Sequence, residues 1–419
     1  MASGDKIIRI EEDEVDRISE LPVNLREHIL DCMSIADAVA TSVLSSKWRY
    51  CWTGLRKLKF DNEFWDFGGD STFLEHARVI DRVLLLHSGP IREFTLFIPE
   101  IENKTVDINM WLRVLSNNGV EKIEIDADGY RDNPFPIPSC LFHCRELEKL
   151  SLRVCTLRLP TDFKGFANLT SLSLYHVDIT PSLLESLVSG CQLLETLSLE
   201  KMLLEEPLAL EALNLKTFYF NDYYFDSIIF KDTPKLTCVS LMATDPTDRI
   251  DTPQPYRTLE RLSSLPMIKE LTFAFFLLEP LPENLPSSTP TPLENLKCLT
   301  LRSVNLCLSK DILFTLCLLS SAPNLQSLTI DLHWEYGDSF RINEEEQEAA
   351  AKLLKSETQK HTSYESVQSL KIIGILGVPS EILLIKLLQT RCQNVKRIIT
   401  EPCLWKLDAA TEMMVQEKP

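Results

Sequence analysis

Apolar residues recur along most of the chain at the first, fourth and sixth positions of a six-residue segment, L-x-x-L-x-L. That spacing predicts a short strand with one buried edge. The segment stands as LEKLSL at Leu147, LTSLSL at Leu169, LETLSL at Leu194, LKTFYF at Leu215, LTCVSL at Leu236, IKELTF at Ile268, LKCLTL at Leu296, LQSLTI at Leu325 and VQSLKI at Val367. Weaker copies precede these as IREFTL at Ile91 and VEKIEI at Val120. Alternating apolar side chains all point to one side of such a strand, where they can stack on those of the next copy.

From Leu147 to Leu236 the copies begin 22, 25, 21 and 21 residues apart, and the gap then widens to 32 before Ile268. This is the period of a leucine-rich repeat, in which each coil buries its edge only against its neighbours. The expected fold is α/β, with parallel strands on a concave face and helices and loops on a convex one. TPSLLESLVSGC predicts a return helix, with Thr180 as cap, Pro181 in the first turn and Gly190 at the exit. EEPLALEALN carries weak helix signals and reads as an irregular return. Proline-rich stretches from Met242 and from Glu279 read as loops between coils. After Trp334, Asn343 and Glu346 suggest a capping box opening the helix EEEQEAAAKLLK, followed by a mobile tail to Ser366.

Before the repeats, DRISELPVNLREHILDCMSIADAVATSVLSSKWRYCW spans Asp16 to Trp52. Leu21, Leu25, Ile29 and Leu30 share a helical stripe, and a second helix begins at Ala36 and carries Val43 and Leu44. About forty residues make a marginal core alone, so part of this apolar surface is expected to meet another surface.

Composition narrows the function. With 44% hydrophobic and 25% charged residues the chain is in the ordered range. Its net charge of −18 and lack of a dense basic run argue against nucleic acid or an anionic membrane as partner. The start is acidic where a secretory signal would be apolar, and the longest near-apolar run, Ile312 to Leu319, is too short to span a bilayer. A soluble intracellular protein, nuclear or cytoplasmic, is expected. Twelve cysteines are scattered without a CxxC pair, and Cys140, His143 and Cys144 lack a fourth ligand at metal spacing. They read as structural thiols. No nucleophile elbow, P-loop, HExxH or dinucleotide fingerprint occurs, so neither catalysis nor a cofactor is expected.

The amino-terminal segment closely resembles the F-box: Leu21-Pro22, Leu25, Ile29-Leu30 and the closing TSVLSSKWRYCW agree in order and spacing. It departs where the family has a leucine-proline pair before its second helix, since Met33-Ser34 stands there. LVSGCQLLETLSL resembles a turn that recurs in plant F-box/leucine-rich-repeat proteins, and LKIIGILGVPSEILLIKLLQTRCQNVKRI resembles the FBD-type end of that family, a strand, glycine turn and helix capping the last repeat. The resemblance implies a Skp-type adaptor as partner, through it a cullin-RING ubiquitin ligase, and a target protein selected by the repeats. It implies Leu21, Pro22, Leu25, Ile29, Val43, Leu44 and Trp48 as adaptor-binding residues, with Leu30 and Trp48 also readable as core.

The residues between the leucines line the concave face, and the large ones are Arg153, Tyr175, Tyr219, Asn221, Arg302 and Asp331. Tyrosine and arginine are common binding anchors, so these six form the candidate substrate surface. Two other readings stay open: a repeat scaffold unconnected with ubiquitin, and a small-molecule co-receptor. The expected organisation is an acidic terminus (1–14), F-box-like module (15–54), repeats (55–333), insertion (334–366), FBD-like cap (367–400) and tail (401–419).

Overall fold

The computed structural model describes residues 16–66, 73–99, 108–127, 134–202, 204, 206–222, 228–242, 265, 267–274, 288–289, 291–332, 344–360 and 362–402. The acidic start, the stretch 243–257, most of the stretch from Glu279, Asn343 and residues 403–419 lie outside them. Two compact units meet in sequence between residues 128 and 129.

In the first unit, α1 (Val23–Asp31) starts after Pro22, whose ring presets the dihedral angle and whose missing N–H falls where a helix has no partner for it. Arg26 and Leu30 face inward, while Leu25 and Ile29, offset by one residue, face out. α2 (Ile35–Ala40) is capped by Ser34, whose Oγ accepts from Asp37 N at 3.1 Å. Ser34 thus gives the Met33-Ser34 turn a cap of its own. The second helix is shorter than expected: Thr41 Oγ1 donates to Ala38 O at 2.7 Å, and the chain tightens to a 3-10 turn over Thr41–Val43.

A further 3-10 turn, Cys51–Gly54, leads to β1 (Lys57–Phe60) and α3 (Asn62–Asp66). α4 (Phe73–Leu86), β2 (Glu93–Ile98), α5 (Ile108–Asn117) and β3 (Lys122–Ala127) complete the unit. β1, β2 and β3 are parallel, and Trp111 Nε1 donates to Asp81 Oδ1 at 2.6 Å, tying α5 to α4.

The second unit carries β4 (Phe135–Pro136), β5 (Lys149–Thr156), β6 (Ser171–Asp178), α6 (Pro181–Gly190), β7 (Thr196–Glu200), β8 (Leu208–Glu211), β9 (Thr217–Asn221), β10 (Ile228–Asp232), β11 (Cys238–Met242) and β12 (Glu270–Ala274). It continues with β13 (Cys298–Val304), α7 (Ser309–Ser321), β14 (Ser327–Leu332), α8 (Glu344–Thr358), β15 (Ser369–Ile375), α9 (Pro379–Arg391) and β16 (Arg397–Pro402). The main sheet runs β5-β6-β7-β9-β11-β12-β13-β14-β15-β16, all parallel, with β4 beside β5.

Each main strand from β5 to β15 begins two residues into its L-x-x-L-x-L copy. The fourth positions line up as Leu150, Leu172, Leu197, Phe218, Val239, Leu271, Leu299, Leu328 and Leu370, none more than 2% exposed. This is the α/β repeat fold expected, a helical module followed by leucine-rich repeats.

Several strands end with a device the hydrophobic pattern did not announce. Val154, His176, Lys201 and Ser303 have φ between 50° and 59°, each directly after an outward residue of its strand, Arg153, Tyr175, Glu200 and Arg302 in turn. The left-handed residue adds one position to the strand and returns a third apolar side chain inward: Cys155, Val177, Met202 and Val304 are all buried.

Two expectations are corrected. The return after β7 is not irregular: the alternation LALE forms β8, which pairs in parallel with β10 in a separate two-stranded sheet. Glu185 Oε1 on α6 accepts from Ala209 N at 2.7 Å and satisfies β8 from the side. Nor is the segment before Ser366 a mobile tail in its described residues. Tyr364 is buried, its N–H donates to Arg391 O at 2.8 Å, and the Arg391 guanidinium donates to Tyr364 Oη at 3.2 Å.

Candidate functional site

The amino-terminal module leaves much of its apolar surface uncovered. Val43 is 87% exposed, Leu44 55%, Leu25 45% and Ile29 40%. Pro22 is exposed as well and Leu21 is half-buried. Pro22, Leu25 and Ile29 come from α1 and its entry, Val43 and Leu44 from the turn after α2. Burying side chains of this size is worth about 1.5–3 kcal/mol each, so their display in water is a standing cost that a partner would remove.

Trp48 requires a correction. It is only 2% exposed and its indole Nε1 donates to Ile18 O at 3.3 Å, so it builds the module and does not meet a partner directly. Leu30, fully buried, does the same.

Sequence reading missed Arg26. This side chain is buried, its Nε donates to Leu21 O at 3.1 Å, and its Nη1 donates to Lys47 O and to Cys51 Sγ, the latter at 3.3 Å. An arginine directly after Leu25 in an amphipathic helix reads as surface, and only the fold shows it turned inward.

On the repeat sheet, Arg153 of β5 pairs in register with Tyr175 of β6, then Glu200 of β7, Asn221 of β9 and Met242 of β11. The Arg153 Cζ sits 4.0 Å from the Tyr175 ring centroid, and Lys201 Nζ sits 5.3 Å from it. Cations over a tyrosine face are attracted by its quadrupole, so the Tyr175 ring draws Arg153 from β5 and Lys201 from just past the end of β7. Tyr219 lies one row away, on a floor of small hydroxyl residues: Ser151, Ser173, Ser198, then Tyr219, Ser240, Thr272, Thr300 and Thr329.

Burial pushes the Tyr219 phenol up and Glu200 adds to the shift, while Arg302 and a hydrogen bond with Asn221 oppose it. The structure thus brings Tyr219, Asn221 and Arg302 into one electrostatic neighbourhood, together with Glu200. Arg302 is registered with Ala274 on β12, and Asp331 of β14 with Ile373 on β15; β14 lies three strands beyond β11, the strand that pairs with Asn221. Glu200 and Lys201 were missed by sequence reading. Lys201 is aimed by its left-handed backbone, which leaves no mark in a period-2 pattern.

A cavity of about 660 Å³ opens where β6 and β7 end and α6 begins, with His176, Asp178, Thr180, Ser182, Lys201 and Glu206 among its lining. Among the described residues no group of three His, Cys, Asp or Glu is arranged to hold a metal ion, and no helix is long and apolar enough to cross a membrane. The thiols of Cys144 and Cys155 are pushed up to about 12 by burial and those of Cys191 and Cys392 to about 11, which makes them poor nucleophiles.

The comparisons with known proteins agree with this geometry. The F-box domain family matches residues 18–60, and the leucine-rich repeats of the "FBD-associated F-box protein At5g56370" type match residues 108–330. The chain is 32% identical over 407 residues to the F-box/FBD/LRR-repeat protein At1g13570 of Arabidopsis thaliana, covering 96% of this chain and 94% of that one. It is also 34% identical over 188 residues to the F-box/FBD/LRR-repeat protein At4g00160 of the same plant, covering 43% of this chain and 40% of that one. An exposed helical module of F-box sequence, a parallel repeat sheet and near end-to-end similarity together place this chain in the F-box/FBD/LRR-repeat family.

Proposed function

We propose that the chain is the non-catalytic, substrate-recruiting subunit of a Skp-cullin-F-box ubiquitin ligase. In this reading Leu21, Pro22, Leu25, Ile29, Val43 and Leu44 bind a Skp-type adaptor, with Trp48 beneath them, and the adaptor links the chain to a cullin-RING ligase. The repeat face around Arg153, Tyr175, Tyr219, Asn221, Arg302 and Asp331 holds the target protein.

The exposure of Val43, Leu44, Leu25 and Ile29 is the observation that carries the proposal. A module this small gains more than most from a surface that covers four large apolar side chains. The repeat face supports the second half: it brings a tyrosine, Tyr175, against Arg153, and tyrosine and arginine are the types enriched at protein-binding surfaces. Acting inside a ligase requires no chemistry of the chain itself, only the positioning of a target.

Size-exclusion chromatography of the intact chain with a Skp-type adaptor and a cullin tests the assembly. Elution as one complex supports the proposal, and separate elution of chain and adaptor refutes it.

A further inference from the structure

α1 has two faces with different tasks. Leu25 and Ile29 stand on the outer face, and Arg26 and Leu30, one residue along, on the inner. An inward position in so small a module would ordinarily be filled by an apolar side chain, since burying a guanidinium needs every donor answered.

Nε and Nη1 of Arg26 are answered by main-chain carbonyls and a sulfur, and no carboxylate among the described residues pairs with it. Nε donates to Leu21 O at 3.1 Å, while Nη1 donates to Lys47 O and to Cys51 Sγ at 3.3 Å. Cys51 Sγ itself lies 2.9 Å from Lys47 O, so the three groups close a small cluster. These contacts join two stretches far apart in sequence. Leu21 is the residue before Pro22, where the α1 half of the apolar surface begins; Lys47 follows Val43 and Leu44, the other half, by three residues. The planar fork of arginine fixes distance and direction at once, which a lysine's single ammonium cannot do.

We propose that Arg26 is a positioning residue that sets the spacing of the two halves of the adaptor surface, acting from beneath without touching the adaptor. The inference rests on the adaptor-binding reading for its consequence. Its geometry is independent of that reading. Without the strut, the Leu21-Pro22 entry and the Lys47–Cys51 turn move separately, and only a fraction of molecules present both halves together. Apparent affinity falls by that fraction, about tenfold if one molecule in ten is competent.

The test uses the full chain as wild type, Arg26→Met and Arg26→Lys, with two readouts. Amide hydrogen exchange is followed at Glu20, Leu21, Trp48 and Cys51, whose N–H groups are bonded within the two stretches, and binding of purified Skp-type adaptor is measured by calorimetry. Methionine matches the buried stem without its charge, so the module is expected to keep its helix content and melting temperature. Exchange at the four amides is expected to quicken at least tenfold in both variants, with adaptor affinity lower by about tenfold and no rescue by lysine. Unchanged exchange in Arg26→Met overturns the proposal, as does wild-type affinity in a variant with quickened exchange. A melting temperature that falls in parallel with affinity also overturns it, because the role would then be general stability. If the wild type itself binds no adaptor, the adaptor reading fails, and the exchange comparison alone decides whether Arg26 is the strut.

Discussion

Arg391 and Glu357 form a buried ion pair, Nη2 to Oε2 at 3.0 Å with side chains 4% and 9% exposed, that fastens the helix of the insertion to the helix of the FBD-like end. The same guanidinium donates to Glu357 O at 2.6 Å and lies 5.7 Å from the Tyr364 ring centroid. Removing one member of such a pair leaves the other charged and dry. Glu357→Gln is therefore expected to cost about 3–5 kcal/mol in denaturant unfolding, whereas an exposed pair such as Lys352 with Glu348 is worth under about 1 kcal/mol. Burial alone would push the Glu357 carboxyl up, but hydrogen bonds from Lys360 and Arg391 outweigh it and hold it below its ordinary value. The stabilisation is accordingly complete above the ordinary glutamate range and lost as pH falls through the lowered value.

Asp311 has the opposite sign. It is 2% exposed in the first turn of α7, where Oδ2 accepts from Asn305 N at 2.8 Å, and burial pushes its carboxyl up to about 7 against the hydrogen bond and Lys310. A folded value above the unfolded one means that this group's contribution is fullest below about pH 4 and declines as pH rises towards 7. Asp311→Asn keeps an acceptor for Asn305 and has no charge to bury. The variant is expected to match wild type near pH 4 and to exceed it at pH 8 by on the order of 2–4 kcal/mol. Urea midpoints across that range would show it, and parallel pH profiles would contradict it.

Backbone geometry gives a third prediction. Gly190 closes α6 where an added Cβ would lie 2.6 Å from Lys164 O, a backbone atom that cannot swing aside. Gly190→Ala is expected to lower stability by about 1–3 kcal/mol. Val154 is a β-branched residue at φ 51°, and Val154→Gly is expected to raise stability by up to about 1 kcal/mol, the relief of left-handed strain less the added chain entropy. Thermal unfolding of the two variants should move in opposite directions.

These examples mark what the sequence made legible. The leucine ladder could be read because a strand's period is fixed by its pleat, and from Leu147 to Val367 each copy became a strand. The Ser34 cap, the Thr41 hydroxyl that tightens the end of α2 and the pairing of β8 with β10 could not, because each depends on a local bond that a periodic pattern does not encode. At the amino-terminal surface the outward residues Leu25, Ile29, Val43 and Leu44 were legible from the resemblance, but the same pattern left Trp48 open between contact and core and missed Arg26. Both are large side chains with a polar group, and which way such a chain turns depends on the carbonyl waiting for it: Ile18 O for Trp48, Leu21 O and Lys47 O for Arg26. The repeat face was legible as a set of positions. Its electrostatics, with Arg302 reaching the neighbourhood of Tyr219, required the fold.

The most direct test of the proposed function is titration of a purified Skp-type adaptor against the full chain and against its Leu25→Asp, Val43→Asp variant, with circular dichroism of both. The two side chains are exposed, so the substitutions should leave the fold intact while placing charge in the middle of the proposed interface. The expected result is saturable binding by the wild type and an affinity lower by more than about thirtyfold, roughly 2 kcal/mol, in a variant with unchanged ellipticity. Equal affinity in the two chains, or no binding by the wild type, would contradict the account.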